Sequence, residues 1–111
     1  MVKAESAKLV KAQKPVACKL TTPELQKRKQ EVLVSLKKKV KEKTELPNGF
    51  MFRFEGSDAV LLELMEFIRT ERACCNFFRF ELVVQDDESP LFLSISGPDG
   101  AKEFIETEIG L

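Results

Sequence analysis

The chain has 111 residues, 18 Lys+Arg against 18 Asp+Glu, a 43% hydrophobic fraction, three Cys and no His. That length suits one hydrophobic core rather than two. The absence of His excludes Ser-His-Asp and Cys-His nucleophiles, His general bases and His-ligated zinc.

The zero net charge is a sum of opposites. Residues 1–46 carry 13 basic and 5 acidic side chains, and residues 47–111 carry 5 and 13. Such asymmetry marks either a basic helix lying against an acidic remainder, within the molecule or across a homodimer, or a surface for an acidic partner. Nucleic acid is the weaker expectation, because all nine Phe lie at or after Phe50 and none interleaves with the basic stretch.

In chain order, residues 1–14 are rich in Lys and Ala and read as a tail, with residues 15–111 forming a single α+β domain. Thr21-Thr22-Pro23-Glu24 offers a hydroxyl cap, an early Pro and an acid at the positive helix end. Leu25, Val32, Leu33, Leu36 and Val40 then recur at helical spacing, which predicts a first helix to about Lys43, stopped by Pro47-Asn48-Gly49. Phe50, Phe52 and Phe54 alternate with Met51 and Arg53, the period of a strand with one buried face.

Gly56-Ser57-Asp58 turns into a second helix, whose predicted core stripe is Leu61, Leu64, Met65, Ile68, Arg72 and Cys75. A strand begins near Phe77, with Phe78, Phe80, Leu82 and Val84 on one face. Residues 86–90 form a polar hairpin connector, and Leu91, Leu93 and Ile95 point inward from the next strand. Gly97-Pro98-Asp99-Gly100 turns into a last helix carrying Ala101, Phe104, Ile105 and Ile109, closed by Gly110. The predicted order is α-β-α-β-β-α, a small antiparallel sheet with helices packed on one face.

The chemistry the sequence offers lies in its thiols. An odd number of Cys argues against a disulfide framework. Cys74 and Cys75 are adjacent, and neighbours on a helix point about 100° apart, so both face one target only if the helix ends there. Cys18 precedes the first helix cap, from where it can approach them. Such a trio suits a soft ion, such as Zn(II), Cu(I) or a thiophilic toxic metal, over Mg or Ca. Glu66 and Glu71 are the nearby carboxylates, with Glu71 one turn before the pair, and Arg69 and Arg72 are placed to stabilise a thiolate. The plain alternative is core packing, since free Cys behaves as a small hydrophobe. A thiol redox sensor comes third, because a disulfide between neighbours is strained.

Four stretches, Ala17-Cys18-x-Leu20-Thr21, Glu45-Leu46-Pro47-x-Gly49, Glu71-Arg72-x-Cys74-Cys75-x-Phe77-Phe78 and Gly97-Pro98-x-Gly100-Ala101-Lys102-x-Phe104-Ile105, together resemble a family of small uncharacterised bacterial proteins. The family pattern reads Pro where this chain has Asn76. The resemblance carries no activity with it, but its pairing of an early Cys with the double Cys implies that Cys18, Cys74 and Cys75 belong to one site. The sequence therefore predicts a soft-metal or metalloid binder using Cys18, Cys74, Cys75 and Glu71, with an interaction module built on the basic first helix as the alternative. No constellation specifies catalysis. No apolar run approaches the about 20 residues that span a bilayer, and no apolar block follows the basic start, so a cytoplasmic protein is expected.

Overall fold

The computed structural model describes residues 22–111, so the predicted tail and Cys18 lie outside the described residues. Helix α1 (Pro23–Lys37) starts where the sequence caps it: the Thr22 hydroxyl accepts a hydrogen bond from the Leu25 amide, and Pro23 fills the first helical position. The helix stops at Lys37 rather than near Lys43, and Val40–Leu46 is a strand, β1, that pairs antiparallel with β2 (Gly49–Phe54). A two-residue turn, Pro47-Asn48, joins them, since Leu46 is the register partner of Gly49. Helix α2 (Asp58–Cys74) follows, capped by the Ser57 hydroxyl on the Val60 amide.

Strands β3 (Arg79–Val83) and β4 (Leu91–Ser96) form the predicted second hairpin. Its connector is organised by Asp86, whose carboxylate accepts from the Glu88 amide and the Ser89 hydroxyl, both at 2.9 Å. The chain ends in a short helix α3 (Ala101–Phe104) that widens into a π-type turn over Ile105–Ile109. Gly110, at φ 72°, closes it in the left-handed conformation that glycine adopts without strain.

The fold is α+β. Its four-stranded sheet has the order β1-β2-β4-β3 with every pair antiparallel. With the first hairpin counted as one β unit, the α-β-α-β-β-α succession is the observed one. One sheet face is dry: Phe50, Phe52, Phe54, Leu91, Leu93 and Ile95 are all buried, while the alternate residues are half-buried. Against that face pack Leu33 and Leu36 of α1, Val60, Leu64 and Phe67 of α2, and Ile105 and Ile109 of the last turn. Each fully buried Phe or Leu contributes on the order of 2 kcal/mol, so this layer contact dominates the stability. Among the described residues no helix is long and apolar enough to cross a membrane.

Among the described residues, part of the charge asymmetry is met within the molecule. Arg28 reaches Glu66 at 3.0 Å, Lys39 reaches Glu63 at 2.9 Å, and Lys29 faces Glu71 at 3.6 Å, each linking the α1 segment to α2. The first pair is solvent-exposed and the second half-exposed, where such contacts contribute about 0–1 kcal/mol each. They orient the helix pair more than they stabilise it.

Candidate metal centre

The site grows from the buried stripe of α2. Of the predicted stripe, Leu64 and Cys75 are buried and Leu61 and Ile68 pack half-buried against the core, but the buried face of the helix is centred one position back, on Val60, Leu64, Phe67, Thr70, Glu71 and Cys74. Met65 is 52% exposed and Arg72 is exposed. The segment 60–68 is apolar nearly all round, so its sequence supports two overlapping stripes. The one carrying Phe67 wins because a Phe removes more surface from water than a Met that solvent can partly wet. The same rotation turns Glu71, two helical turns beyond Leu64, into the interior.

Cys74 is the last residue of α2, and Cys75 leaves the helix at φ −119°, ψ 77°. That break is what the adjacent thiols require. With Cys75 off the helical course, the two sulfurs turn toward each other and stand 3.4 Å apart, far longer than a disulfide bond (about 2.05 Å). Donor atoms of Glu71, Cys74 and Cys75 all lie within 4.8 Å of one another, and all three residues are buried. Cys75 and Glu71 are 0% exposed and Cys74 is 2% exposed.

Electrostatics make Glu71 the anomalous member. Neither of its carboxylate oxygens has a hydrogen-bond partner of proper geometry among the described residues. Its nearest ion-pair partner, the Lys29 ammonium, stands at 3.6 Å with a side chain only 9% exposed. Burial pushes the Glu71 pKa above the ordinary carboxylate value; the attraction of Lys29, then the Cys75 thiol and a weak bond from Lys29, pull partly back. A buried carboxylate in that condition costs stability unless something else uses its lone pairs.

Two other predicted neighbours, Glu66 and Arg69, are engaged with each other. Glu66 is held by Arg69 in a two-pronged contact at 2.9–3.0 Å and by Arg28 at 3.0 Å, which keeps its carboxyl below the usual range. Arg69 therefore serves Glu66 rather than a thiolate. A surface concavity of about 470 Å³ is lined by Leu62, Met65, Glu66, Ile68, Arg69 and Arg72, on the outer side of α2, and includes no sulfur. The cation of the site is Lys29, which the sequence pattern of the thiols does not point to. A signal for it exists elsewhere: it stands four residues before Leu33, so it falls on the buried stripe of α1 with Leu33 and Leu36.

A hydrocarbon cover closes the thiol side. Phe77 packs on Cys74 and Cys75, with Phe78 and Phe104 against them. The Phe77 and Phe104 rings meet edge-on at 5.3 Å, and Phe77 and Phe78 stand 4.4 Å apart. Gly97 lies under this cover, since a Cβ there would come within 3.2 Å of the Phe77 carbonyl and 2.9 Å of the Ala101 Cβ. The double-Cys stretch and the Gly97-Pro98 stretch are thus two halves of one packed unit. No family model, curated protein or solved structure matches the chain.

This enclosure predicts slow thiol chemistry. In the reduced native chain, Cys74 and Cys75 will react with an aromatic disulfide reagent at least about a hundredfold more slowly than after unfolding, because reaction waits on local opening. Phe104→Ala, which removes one ring of the cover, will accelerate both reactions together. Equal rates in native and unfolded protein would contradict the enclosure.

Proposed function

We propose that the chain binds a soft metal or metalloid through Cys74, Cys75 and Glu71. The observation that carries this reading is the Glu71 carboxylate, buried without a well-formed hydrogen bond beside two thiols within 4.8 Å. Core packing alone accounts for two buried Cys; it does not account for a buried carboxylate with both oxygens in that condition. Sulfur donors favour soft ions over Mg or Ca, and a single carboxylate completes a mixed set of the kind zinc accepts.

Cys18 lies outside the described residues, and the proposed ligand set is Cys74, Cys75 and Glu71. The alternative role for the basic helix gains less support, since Arg28, Lys29 and Lys39 are directed at carboxylates of α2.

Titration of the reduced full chain with Cd(II), read by the sulfur-to-cadmium charge-transfer band, tests the proposal, with Zn(II), Cu(I) and Hg(II) as competitors. One equivalent should bind tightly. Cys74→Ser or Cys75→Ser should weaken binding by about a hundredfold or more, because each removes one of two strong metal–sulfur bonds. Absence of any binding that depends on Cys74 and Cys75, for all four ions, would overturn the reading.

A further inference from the structure

We propose that the ligand of this group is a trivalent metalloid hydroxide, arsenite or its antimony counterpart, held by the two sulfurs of Cys74 and Cys75 with its remaining hydroxyl on Glu71. The inference rests on the reading of Glu71, Cys74 and Cys75 as a ligand site, and narrows it to one chemical class.

The first argument is the sulfur spacing. Metal–sulfur bonds of about 2.3 Å at a tetrahedral angle set two sulfurs about 3.8 Å apart, and a linear two-coordinate ion sets them about 4.6 Å apart. The observed separation is 3.4 Å. For bonds of that same length this spacing corresponds to an angle of about 95° at the bound atom. A trivalent metalloid has a stereochemically active lone pair that compresses its bond angles toward a right angle. The pair of thiols is thus already spaced for such a centre, whereas a linear ion would have to push the sulfurs apart inside a packed cluster of Phe77, Phe78 and Phe104.

Charge supplies the second argument. Arsenous acid, As(OH)3, is neutral in ordinary buffers, and its condensation with two thiols is charge-neutral. Two S–H bonds and two As–O bonds break, two As–S bonds and two O–H bonds form, and two water molecules leave, with arsenic remaining trivalent throughout. The product, a dithiolate bearing one As–OH, places no net charge in a site whose three donor residues are 0–2% exposed. A divalent cation that displaces the two thiol protons also leaves a neutral dithiolate, but it must shed its hydration shell to enter the enclosure, whereas arsenous acid enters uncharged.

Glu71 is the third argument. The As–OH of the product is a hydrogen-bond donor, and a carboxylate oxygen lies within 4.8 Å of both sulfurs while neither oxygen has a partner of proper geometry among the described residues. Lys29, 3.6 Å from that carboxylate, balances its charge. Glu71 acts here as a positioning residue, satisfying the hydroxyl that the two sulfurs leave over.

The experiment uses the reduced full chain with sodium arsenite, and cadmium in parallel. Arsenic K-edge absorption of the complex should show two sulfur neighbours and one oxygen, and both Cys74 and Cys75 should become protected from alkylation at one equivalent. Cys18→Ser should leave affinity and neighbour count unchanged. Glu71→Met should keep two As–S bonds while weakening binding about tenfold or more, the loss of one hydrogen bond to a charged group. Cadmium binding without arsenite binding would overturn this inference and leave the metal-site reading standing. Failure of both probes would remove both. Three sulfurs around arsenic in the unaltered chain would overturn the assignment of Glu71, and that readout needs no variant to fold.

Discussion

Lys29→Met will lower the stability of the ligand-free protein at pH 7 by about 3 kcal/mol, while Lys29→Met combined with Glu71→Met will raise it above the unaltered chain by about 1–4 kcal/mol. The pair is 3.6 Å apart, with side chains 9% and 1% exposed, and makes poor use of its burial because neither Glu71 oxygen has a well-formed hydrogen bond. Removing the ammonium alone strands the carboxylate in hydrocarbon. The loss stops near 3 kcal/mol because Glu71 then takes up a proton, which costs about 1.4 kcal/mol for every tenfold weakening of its acidity. Removing both charges substitutes two flexible apolar chains of similar volume for an ill-satisfied ion pair, the exchange that tends to be neutral or favourable.

The pH dependence has a definite sign. Burial raises the folded-state pKa of Glu71 above its ordinary value of 4.5. Below about 4.5 both states hold the proton and the stability contribution is complete. As pH rises from there toward the raised folded value, the unfolded chain releases its proton first, so this group's contribution falls, then levels off above the folded value. Urea denaturation of the metal-free protein between pH 4 and 8 should show that decline deepened in Lys29→Met and absent from the double variant. A double variant less stable than the original at pH 7 would mean that the pair is a structural asset. The expected gain means instead that the fold keeps a destabilising carboxylate where Met would pack, as the proposed ligand role of Glu71 requires.

The parts of this fold that were legible are those where one face is dry. Phe50, Phe52 and Phe54 alternate in sequence and all three are buried, as are Leu91, Leu93 and Ile95 on the neighbouring strand. The helix starts at Thr22 and Ser57 were legible for another reason: a hydroxyl followed by Pro or an acid supplies its own local hydrogen bond, independent of what packs later. Strand β1 was not legible. Its interior, Lys41-Glu42-Lys43-Thr44-Glu45, is exposed on both sides, so the period of two has no apolar member to reveal it. Val40 also stands four residues after Leu36, continuing the helical rhythm of α1. Only pairing with β2 decides the matter, and Lys and Glu are the residues that keep such an edge strand from joining another chain.

The candidate site divides in the same way. That Cys74 and Cys75 must lie at a helix end follows from helical geometry, and the end is where the sequence turns to Asn76 and the β-rich run. Which carboxylate and which cation join them depends on helix rotation to within one residue. An apolar segment such as 60–68 leaves that rotation undetermined until tertiary packing selects Phe67 over Met65. In sequence Glu71 is a candidate ligand only for standing one turn before the thiols; its burial comes from the selected rotation. Lys29 sits 42 positions away in sequence and meets Glu71 only because α1 lies along α2.

Gly49→Ala is a backbone change with a large expected effect, a loss on the order of 3 kcal/mol. Gly49 opens β2 directly opposite Ser96 of β4. A Cβ at Gly49 would fall 1.9 Å from the Ile95 carbonyl oxygen and 2.7 Å from the Ser96 Cα, and both are backbone atoms that cannot swing aside as a side-chain tip would. The methyl is accommodated only if the end of β4 moves off β2, which breaks the first pairing and the bond from the Gly97 amide to the Asn48 carbonyl at 3.1 Å. By contrast Gly110→Ala, with φ 72° but its nearest neighbouring atom 3.7 Å away at the end of Lys37, should cost only about 1–2 kcal/mol, the left-handed penalty of one L-residue. The comparison by urea denaturation separates steric displacement from backbone conformation. The two changes should also differ at the thiols. Displacing β4 at Ser96 drags Gly97 and Ala101, the floor beneath Phe77, so Gly49→Ala should speed alkylation of Cys74 and Cys75 by more than its global destabilisation explains, and Gly110→Ala should not. Equal acceleration in both variants would mean that the thiols open only by global unfolding, and that the Gly97 unit does not govern access to them.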